Sequence, residues 1–436
     1  MQEQVYRTMN VLCSMVEQLP IGTNLGMLHL LWMMLSGQLL KTRGAVIPGL
    51  DALGLPAEAV RRSWAALGQG AWDTSGMVSS WERLVRREGQ WQPHCHGGWR
   101  PVAADTTAFL RPRLANCPTK HYLGKTGHAV PAIPLGLIVR VGQVGSQRLG
   151  LPVAIVRAPG ADPSPQAQDC AIVRQVSRLL QENEVAILDR GFHVSMLQKE
   201  GCSPYVVRLA KNFTARRAAL PNYKGKGRRP KRGETVRPLA RVRKGKFQPA
   251  TPPDRVESWS EGEVTLRAEW WNKLVLPQAK PDSPTFQVVA VYDPRYEGPL
   301  LLATPLALTG ADVRALYLDR WPVEQVPLTA KQMIGAHRQF VHAPETRQRL
   351  PELALLAGSI LSYLAAGLPA VSTGFWDRKP QPTSGRLRRM LGKVSFPERY
   401  VPLGSIRKKG SVTGHLPKGY FGQCGKSTAV SPALVA

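Results

Sequence analysis

Six side chains stand out for the chemistry they could do together. Four lie in the stretch YLDRWPVEQVPLTAK (317–331): Tyr317, Arg320, Glu324 and Lys331. Two are aspartates, Asp105 and Asp189, closing the apolar runs VAAD and VAILD. A carboxylate at a strand end projects at the rim of a sheet, where a ligand can approach it. Taken singly, each aspartate reads better as a turn residue that caps a loop. An arginine can hold a phosphate through two parallel hydrogen bonds, a lysine acts more as a point charge, and a tyrosine can donate its hydroxyl. The residue to explain is Glu324, an acid among cations in a chain with 58 Lys and Arg against 30 Asp and Glu.

The surroundings narrow the partner. The chain has 436 residues, enough for two or three structural units. With 43% hydrophobic and 20% charged residues it reads as a soluble globular protein rather than a disordered one. A formal net charge of +28 favours a polyanion, nucleic acid first and an anionic lipid surface second. The opening MQEQVYRTMN carries no secretory pattern. MLHLLWMMLSGQLL (27–40) is too short to span a bilayer. LALLAGSILSYLAAGLPAV (353–371) is long enough, but its Ala, Gly and Ser content favours a buried core helix. Six scattered cysteines show no disulfide spacing, which suits a reducing cytoplasm.

Residues 1–98 have helical spacing, broken at Pro20, Pro48 and Pro56. RPVAADTTAFL, AIPLGLIVRVGQVG and QRLGLPVAIVRA then read as three consecutive strands. A helix follows over AQDCAIVRQVSRLLQENE, with Ile172, Val173, Val176, Leu179 and Leu180 on its apolar face. Next come a strand (VAILD), a helical turn (HVSMLQKE) and a strand (PYVVRL). This element order is that of the RNase H-like fold, a mixed α/β sheet flanked by helices. Between Lys211 and Lys246 fourteen Lys or Arg face a single acid, Glu234. VTLRAEWWNKLVL alternates like a strand pair. TFQVVAVYD and GPLLLATPLA either complete an insert or return the chain to the main sheet. The last seventy residues are basic and turn-rich.

Tyr317, Arg320, Glu324 and Lys331 match a Y-x2-R-x3-E-x6-K pattern downstream of two strand-end aspartates. In this the chain resembles the DDE transposases of bacterial insertion sequences, and LDRGF around Asp189 and LYLDRW around Arg320 are similar to that family too. The resemblance covers roughly residues 100–365. It implies a catalytic core in two parts, 99–210 and 284–370, split by a basic β insertion domain over 211–283. A helical N-terminal domain over 1–98, a candidate binder of the element's ends, and a basic tail over 371–436 complete the layout. The resemblance makes Asp105, Asp189 and Glu324 the catalytic metal-binding triad. Carboxylates that converge repel one another unless divalent cations neutralise them, and oxygen donors suit Mg²⁺ or Mn²⁺. Two such ions can activate the attacking oxygen and stabilise the leaving one.

The implied reaction is hydrolysis at the element's ends, freeing 3′-hydroxyls that attack target DNA, with no ATP. The implied partners are end and target DNA, held by a homodimer in a synaptic complex in the cytoplasm at the nucleoid, with no membrane. DNA would be gripped by Tyr317, Arg320 and Lys331, and by Lys224, Lys226, Arg228 and Arg229 in the basic insert. Trp270 and Trp271 could stack an unpaired base, worth about 1–3 kcal/mol. Alternation puts the pair on opposite faces, so one of them is expected in the core.

Pro322 fits a first helical position. Pro327 falls in the second turn, where a proline costs about 3 kcal/mol, so a kink or a later start is expected. That proline is the best support for a rival, a DNA-binding protein derived from a transposase but inactive. Another rival, a basic RNA-binding protein without an active site, requires Asp105, Asp189 and Glu324 to lie far apart. His94 and His96, with Cys117 and His121, match no familiar zinc spacing and read as loop residues. GQCGKST lacks the first glycine of a phosphate loop and a preceding strand, so it is rejected as one.

Overall fold

A helix that is apolar all round must be enclosed by protein, and Thr23–Leu35 is one: every residue from Met27 to Leu35 is buried. Its cover comes from both ends of the chain. Gln2–Val16 and Ala57–Gln69 pack on it from the N-terminal side, and the 24-residue helix Pro344–Gly367 packs on it from the C-terminal side. Thr74–Glu88 closes the group, started by the Asp73 carboxylate accepting from the Gly76 N–H (2.7 Å) and stopped by Gly89 in the left-handed region. Its Trp81 donates to Ser359 Oγ (3.1 Å) and meets the Tyr363 ring edge-on.

The structure, a computed structural model, describes residues 1–409 except 115–116, 118, 125–126, 161–163, 224, 226–228, 280–282, 338–340, 373 and 403. The helices above belong to the first of two compact units, which takes in residues 1–90, 109–114 and those from Val326 onward. The expected domain over 1–98 is therefore only part of a unit, and residues 326–370 fall with it rather than with the strands before them. The reason is the apolar helix, whose cover the first ninety residues alone do not supply. Pro344–Gly367 is, among the described residues, the one helix long and apolar enough to cross a membrane, and 83% of its apolar window is buried in protein.

The second unit, residues 91–108 and 115–325, is a mixed α/β body built on a 13-stranded sheet. Its central path runs Trp91–Pro93, His128–Val144, Arg100–Leu110, Glu184–Leu188, Tyr205–Arg208, Leu300–Thr304, Phe286–Tyr292, Val264–Val275, Ala215–Arg217, Thr235–Val236. Lys120–Leu123 and Gln147–Arg157 pair with His128–Val144, and Arg255–Glu261 pairs with Val264–Val275. Arg100–Leu110, Glu184–Leu188 and Tyr205–Arg208 are parallel, and the register sets Ala104 opposite Leu188. The next residues on those strands are Asp105 and Asp189. That register is why two aspartates eighty-odd positions apart become neighbours.

Helix Pro165–Leu179 lies on the His128–Val144 and Gln147–Arg157 strands through Ile172, Val173 and Val176, and ends before Leu180 rather than running on to Glu184. Its close approach requires Gly136, where a Cβ would stand 2.3 Å from Ile172 Cγ1. VTLRAEWWNKLVL is one strand, not a pair. Its hairpin partner is the polar Arg255–Glu261, and an irregularity between Trp271 and Leu274 interrupts its ladder with Phe286–Tyr292. The strands after 211 hydrogen-bond into the main sheet instead of forming a sheet of their own, apart from the small Arg241–Arg243/Lys246–Gln248 hairpin.

One buried ion pair reaches across Arg100–Leu110 and ties His128–Val144 to Glu184–Leu188. Arg140 donates to Glu184 through Nε (2.6 Å) and Nη2 (3.1 Å), and both side chains are under 8% exposed. Removing one partner of such a pair leaves an uncompensated charge and typically costs about 3–5 kcal/mol. Arg140→Met should lower unfolding stability by that order in urea titration, and adding Glu184→Leu should recover much of it. A single-variant loss under about 1 kcal/mol would count against the pair as a structural tie.

Candidate active site

The parallel register delivers Asp105 and Asp189 to one end of the sheet, and Gly310–Leu318 delivers the rest. This helix is started by Thr309, whose hydroxyl accepts from the Asp312 N–H (3.1 Å), and is held down by the buried Arg314, which donates to Asp293 (2.7 Å) and Glu261 (2.8 Å). Arg295, which also donates to Asp293 (2.8 Å), and then Arg314 hold the Asp293 carboxyl far below its usual range. Tyr317 sits in the last turn and donates its hydroxyl to Asp189 Oδ1 (3.0 Å). Arg320, one turn on, places Nη1 2.6 Å from Glu324 Oε1 and 3.4 Å from Asp105 Oδ2. Arg208, at the end of its strand, approaches Asp189 Oδ1 at 3.8 Å.

Asp105, Asp189 and Glu324 are thus brought together, with Tyr317 and Arg320 hydrogen-bonded to them and Arg208 at ion-pair distance from Asp189. Burial pushes the Asp105 carboxyl up to about 6; its Thr106 N–H bond and Arg320 oppose the rise, while the charges of Glu324 and Asp189 add to it. Tyr317 is pushed up to about 12, first by burial and then by Asp189, so it remains a hydrogen-bond donor at any working pH. Arg320 is shifted up despite burial, chiefly by its bond to Glu324 and by Asp189. A further acid, Asp169, receives a bond from Thr106 Oγ1 (3.2 Å), and burial raises its carboxyl.

Lys331 is not among these contacts. The helix begins at Pro322, continues through Pro327 to Leu328, and gives way to a π-helical stretch, Thr329–Ile334. Wider π turns suit a place where a proline has removed a donor from the α ladder. The division between the two units falls inside this helix, after Gln325. In its own unit, the Lys331 ammonium lies 5.2 Å from the centre of the Phe109 ring.

The tryptophan expectation is corrected. Trp270 and Trp271 do point to opposite faces, but both are fully buried, because both faces of the strand are covered. Trp271 joins the main core and donates to the Thr251 carbonyl (2.9 Å), while Trp270 lies under the Arg255 guanidinium, 4.6 Å from its ring centre. Neither offers a ring to a base. Of the basic-insert residues, Lys224, Lys226 and Arg228 lie outside the described residues, as does GQCGKST. Arg229 is exposed, its guanidinium 5.5 Å from the Tyr223 ring centre.

One cluster was missed in the sequence. His94 Nδ1 and His96 Nε2 each lie 2.9 Å from Oδ2 of the fully buried Asp319. Among the described residues these form the only group of three His, Cys or acid side chains whose ligand atoms all lie within 4.8 Å of one another. The two histidines were visible as HCH; Asp319 was not, lying more than 220 positions away. Its only signal was its place beside Arg320. No family model matches the chain, and no characterised protein matches it in sequence.

Because the folded-state pKa of Asp105 lies above its unfolded value, the folded protein holds the extra proton between about pH 4 and pH 6. Stability from this group is full below about pH 4 and is lost as pH rises through about 6. In chelator-treated buffer the wild type should lose up to about 3 kcal/mol this way between pH 4 and 7. Asp105→Asn should lack that component. Urea unfolding of both proteins across the range decides it, and a wild-type-minus-variant difference that stays flat with pH would contradict the assignment.

Proposed function

We propose that the chain is a DDE transposase, which cleaves DNA at the ends of an insertion sequence and joins the freed 3′-hydroxyls to target DNA. The observation that carries the reading is Arg320. One guanidinium contacts both Asp105 and Glu324, while Tyr317 of the same pattern holds Asp189. A chance Y-x2-R-x3-E spacing has no reason to meet both aspartates in space, and a basic RNA-binding protein without an active site has no use for the meeting. The strand sequence across one half of the sheet adds support. Gln147–Arg157, His128–Val144, Arg100–Leu110, Glu184–Leu188 and Tyr205–Arg208, the last three parallel, are in the order expected of an RNase H-like core. On this reading the strands between 215 and 275 are the family's insertion, joined to the core sheet.

The donor set suits Mg²⁺ or Mn²⁺: three carboxylates, each side chain between 31% and 36% exposed, with no thiolate or imidazole among them. In phosphodiester displacement such a donor set serves a pair of ions roughly 3.5–4 Å apart. Asp105, Asp189 and Glu324 would hold them, and the ions would supply neutralisation of the scissile phosphate and a lowered pKa for the attacking hydroxyl. The chain's own groups do the rest. Tyr317 fixes the orientation of Asp189 through its hydroxyl. Arg320 neutralises Glu324 and Asp105 when no ion is bound, and its fork can turn to a phosphate oxygen when one is. Arg208 and the basic insert meet the phosphate backbone as part of the same proposal.

The test uses a supercoiled plasmid carrying this chain's coding region and its flanking DNA. With Mg²⁺ or Mn²⁺ the wild type should nick it, and chelation should stop the nicking. Asp105→Ala, Asp189→Ala and Glu324→Ala should each slow nicking by at least about 100-fold while plasmid affinity in gel-shift titration changes less than about threefold. Binding without nicking under any metal condition would favour the inactive relative. Undiminished nicking in any one variant would remove that residue from the site.

A further inference from the structure

Three groups that carry, or can carry, positive charge converge on the buried Asp319. His94 and His96 meet Oδ2, and Arg148 Nε lies 3.3 Å from Oδ1. All three come from one edge of the sheet. Trp91–Pro93 pairs with the end of His128–Val144 and leads directly into His94, whose N–H donates to the Val141 carbonyl (3.0 Å). Arg148 lies at the start of Gln147–Arg157, opposite Gln143 of His128–Val144. Arg148 also donates through Nη1 to the Leu318 carbonyl (3.2 Å), at a helix C-terminus where a cation is favoured.

Asp319 ends the helix that carries Tyr317 and immediately precedes Arg320. From there the backbone turns tightly: the Arg320 N–H donates to the Tyr317 carbonyl (3.0 Å), and the Glu324 N–H to the Trp321 carbonyl (3.0 Å). The direction of the Arg320 guanidinium is therefore set by where this turn is held.

We propose that Asp319, held through Oδ2 by His94 and His96 with the Arg148 charge beside Oδ1, is a positioning residue that sets Arg320 between Asp105 and Glu324. The expected effect on cleavage rests on the transposase reading; the effect on the turn does not. A zinc ion would also suit the three ligand types. Arg148 already balances the Asp319 charge, however, and a buried dication beside a guanidinium would stand uncompensated. The titratable groups facing the imidazoles are Asp319, Arg148 and each other, with the Gln143 amide 3.3 Å from the outer nitrogen of His94. An imidazole N–H donating to a carboxylate needs no metal, and the bond to Asp319 in turn favours the charged form of His94.

Asp319→Asn keeps an oxygen that both imidazoles can bond; Asp319→Ala does not. Three quantities are read in each: amide hydrogen exchange over 317–325, plasmid affinity, and metal-dependent nicking rate. Asp319→Ala should speed exchange in that segment by at least about tenfold. It should slow nicking by about 100-fold, as a misplaced catalytic neighbour does, with affinity held within about threefold. Asp319→Asn should recover most of both losses. If Asp319→Ala does not fold, the double variant His94→Ala/His96→Ala takes its place with the same expectations. Unchanged exchange in Asp319→Ala, or Asp319→Asn as impaired as Asp319→Ala, overturns the proposal. So does stoichiometric zinc that is lost in His94→Ala. If the wild type nicks no DNA, the transposase reading fails by itself, and hydrogen exchange alone decides whether Asp319 holds the turn.

Discussion

Like charges do not gather in half-buried space without a cation, and the centre of this protein is arranged around that constraint. Asp105, Asp189 and Glu324 feel one another strongly enough that two of them help to raise the third. Arg320 answers part of the repulsion by reaching two of the carboxylates, and Tyr317 occupies the remaining one. The parallel register of Arg100–Leu110 with Glu184–Leu188, the Thr309 cap and the Arg314–Asp293 anchor all serve to bring these five groups to one place. A stable protein gains little from concentrating acids in this way. On the proposed reading, the gain is a donor set for divalent ions.

The two acidic positions beside Arg320 show how burial and partners assign different work to the same side chain. Asp105 keeps nearly a third of its side chain open, but burial outweighs its one weakly placed cation, so its proton is held to about pH 6. Asp319 is closed off, and the histidine bonds outweigh burial, leaving it below the ordinary range. On the proposed reading, the first exchanges its partner for an ion. The second is committed to its partners, as suits a residue that holds a turn rather than takes part in chemistry.

Much of the site was legible because its signals are local. The aspartates that close VAAD and VAILD, and a spaced Tyr, Arg and Glu, are written in single stretches, and the order of strands and helix from 100 to 208 follows the hydrophobic pattern; Asp189 does end its strand, whereas Asp105 lies in the middle of Arg100–Leu110. What failed was whatever depends on the covering of a face. Trp270 and Trp271 alternate correctly, but alternation does not reveal that both sides of a strand are enclosed. The polar Arg255–Glu261 strand has no apolar face to announce it, so its partner was read as a pair in itself. The first unit needed a helix more than 300 residues downstream to wrap Thr23–Leu35, which no local composition shift marks. Asp319 was hidden for the same reason: its partners are at positions 94, 96 and 148.

The central claim is that Asp105, Asp189 and Glu324 jointly hold divalent ions. The most direct measurement is anomalous diffraction from crystals soaked in Mn²⁺ at about pH 7.5, where Asp105 is ionised. The account predicts Mn²⁺ peaks against Asp105 and Asp189, with the Arg320 guanidinium moved off Asp105. Peaks absent from those carboxylates, or confined to His94, His96 and Asp319, would contradict it.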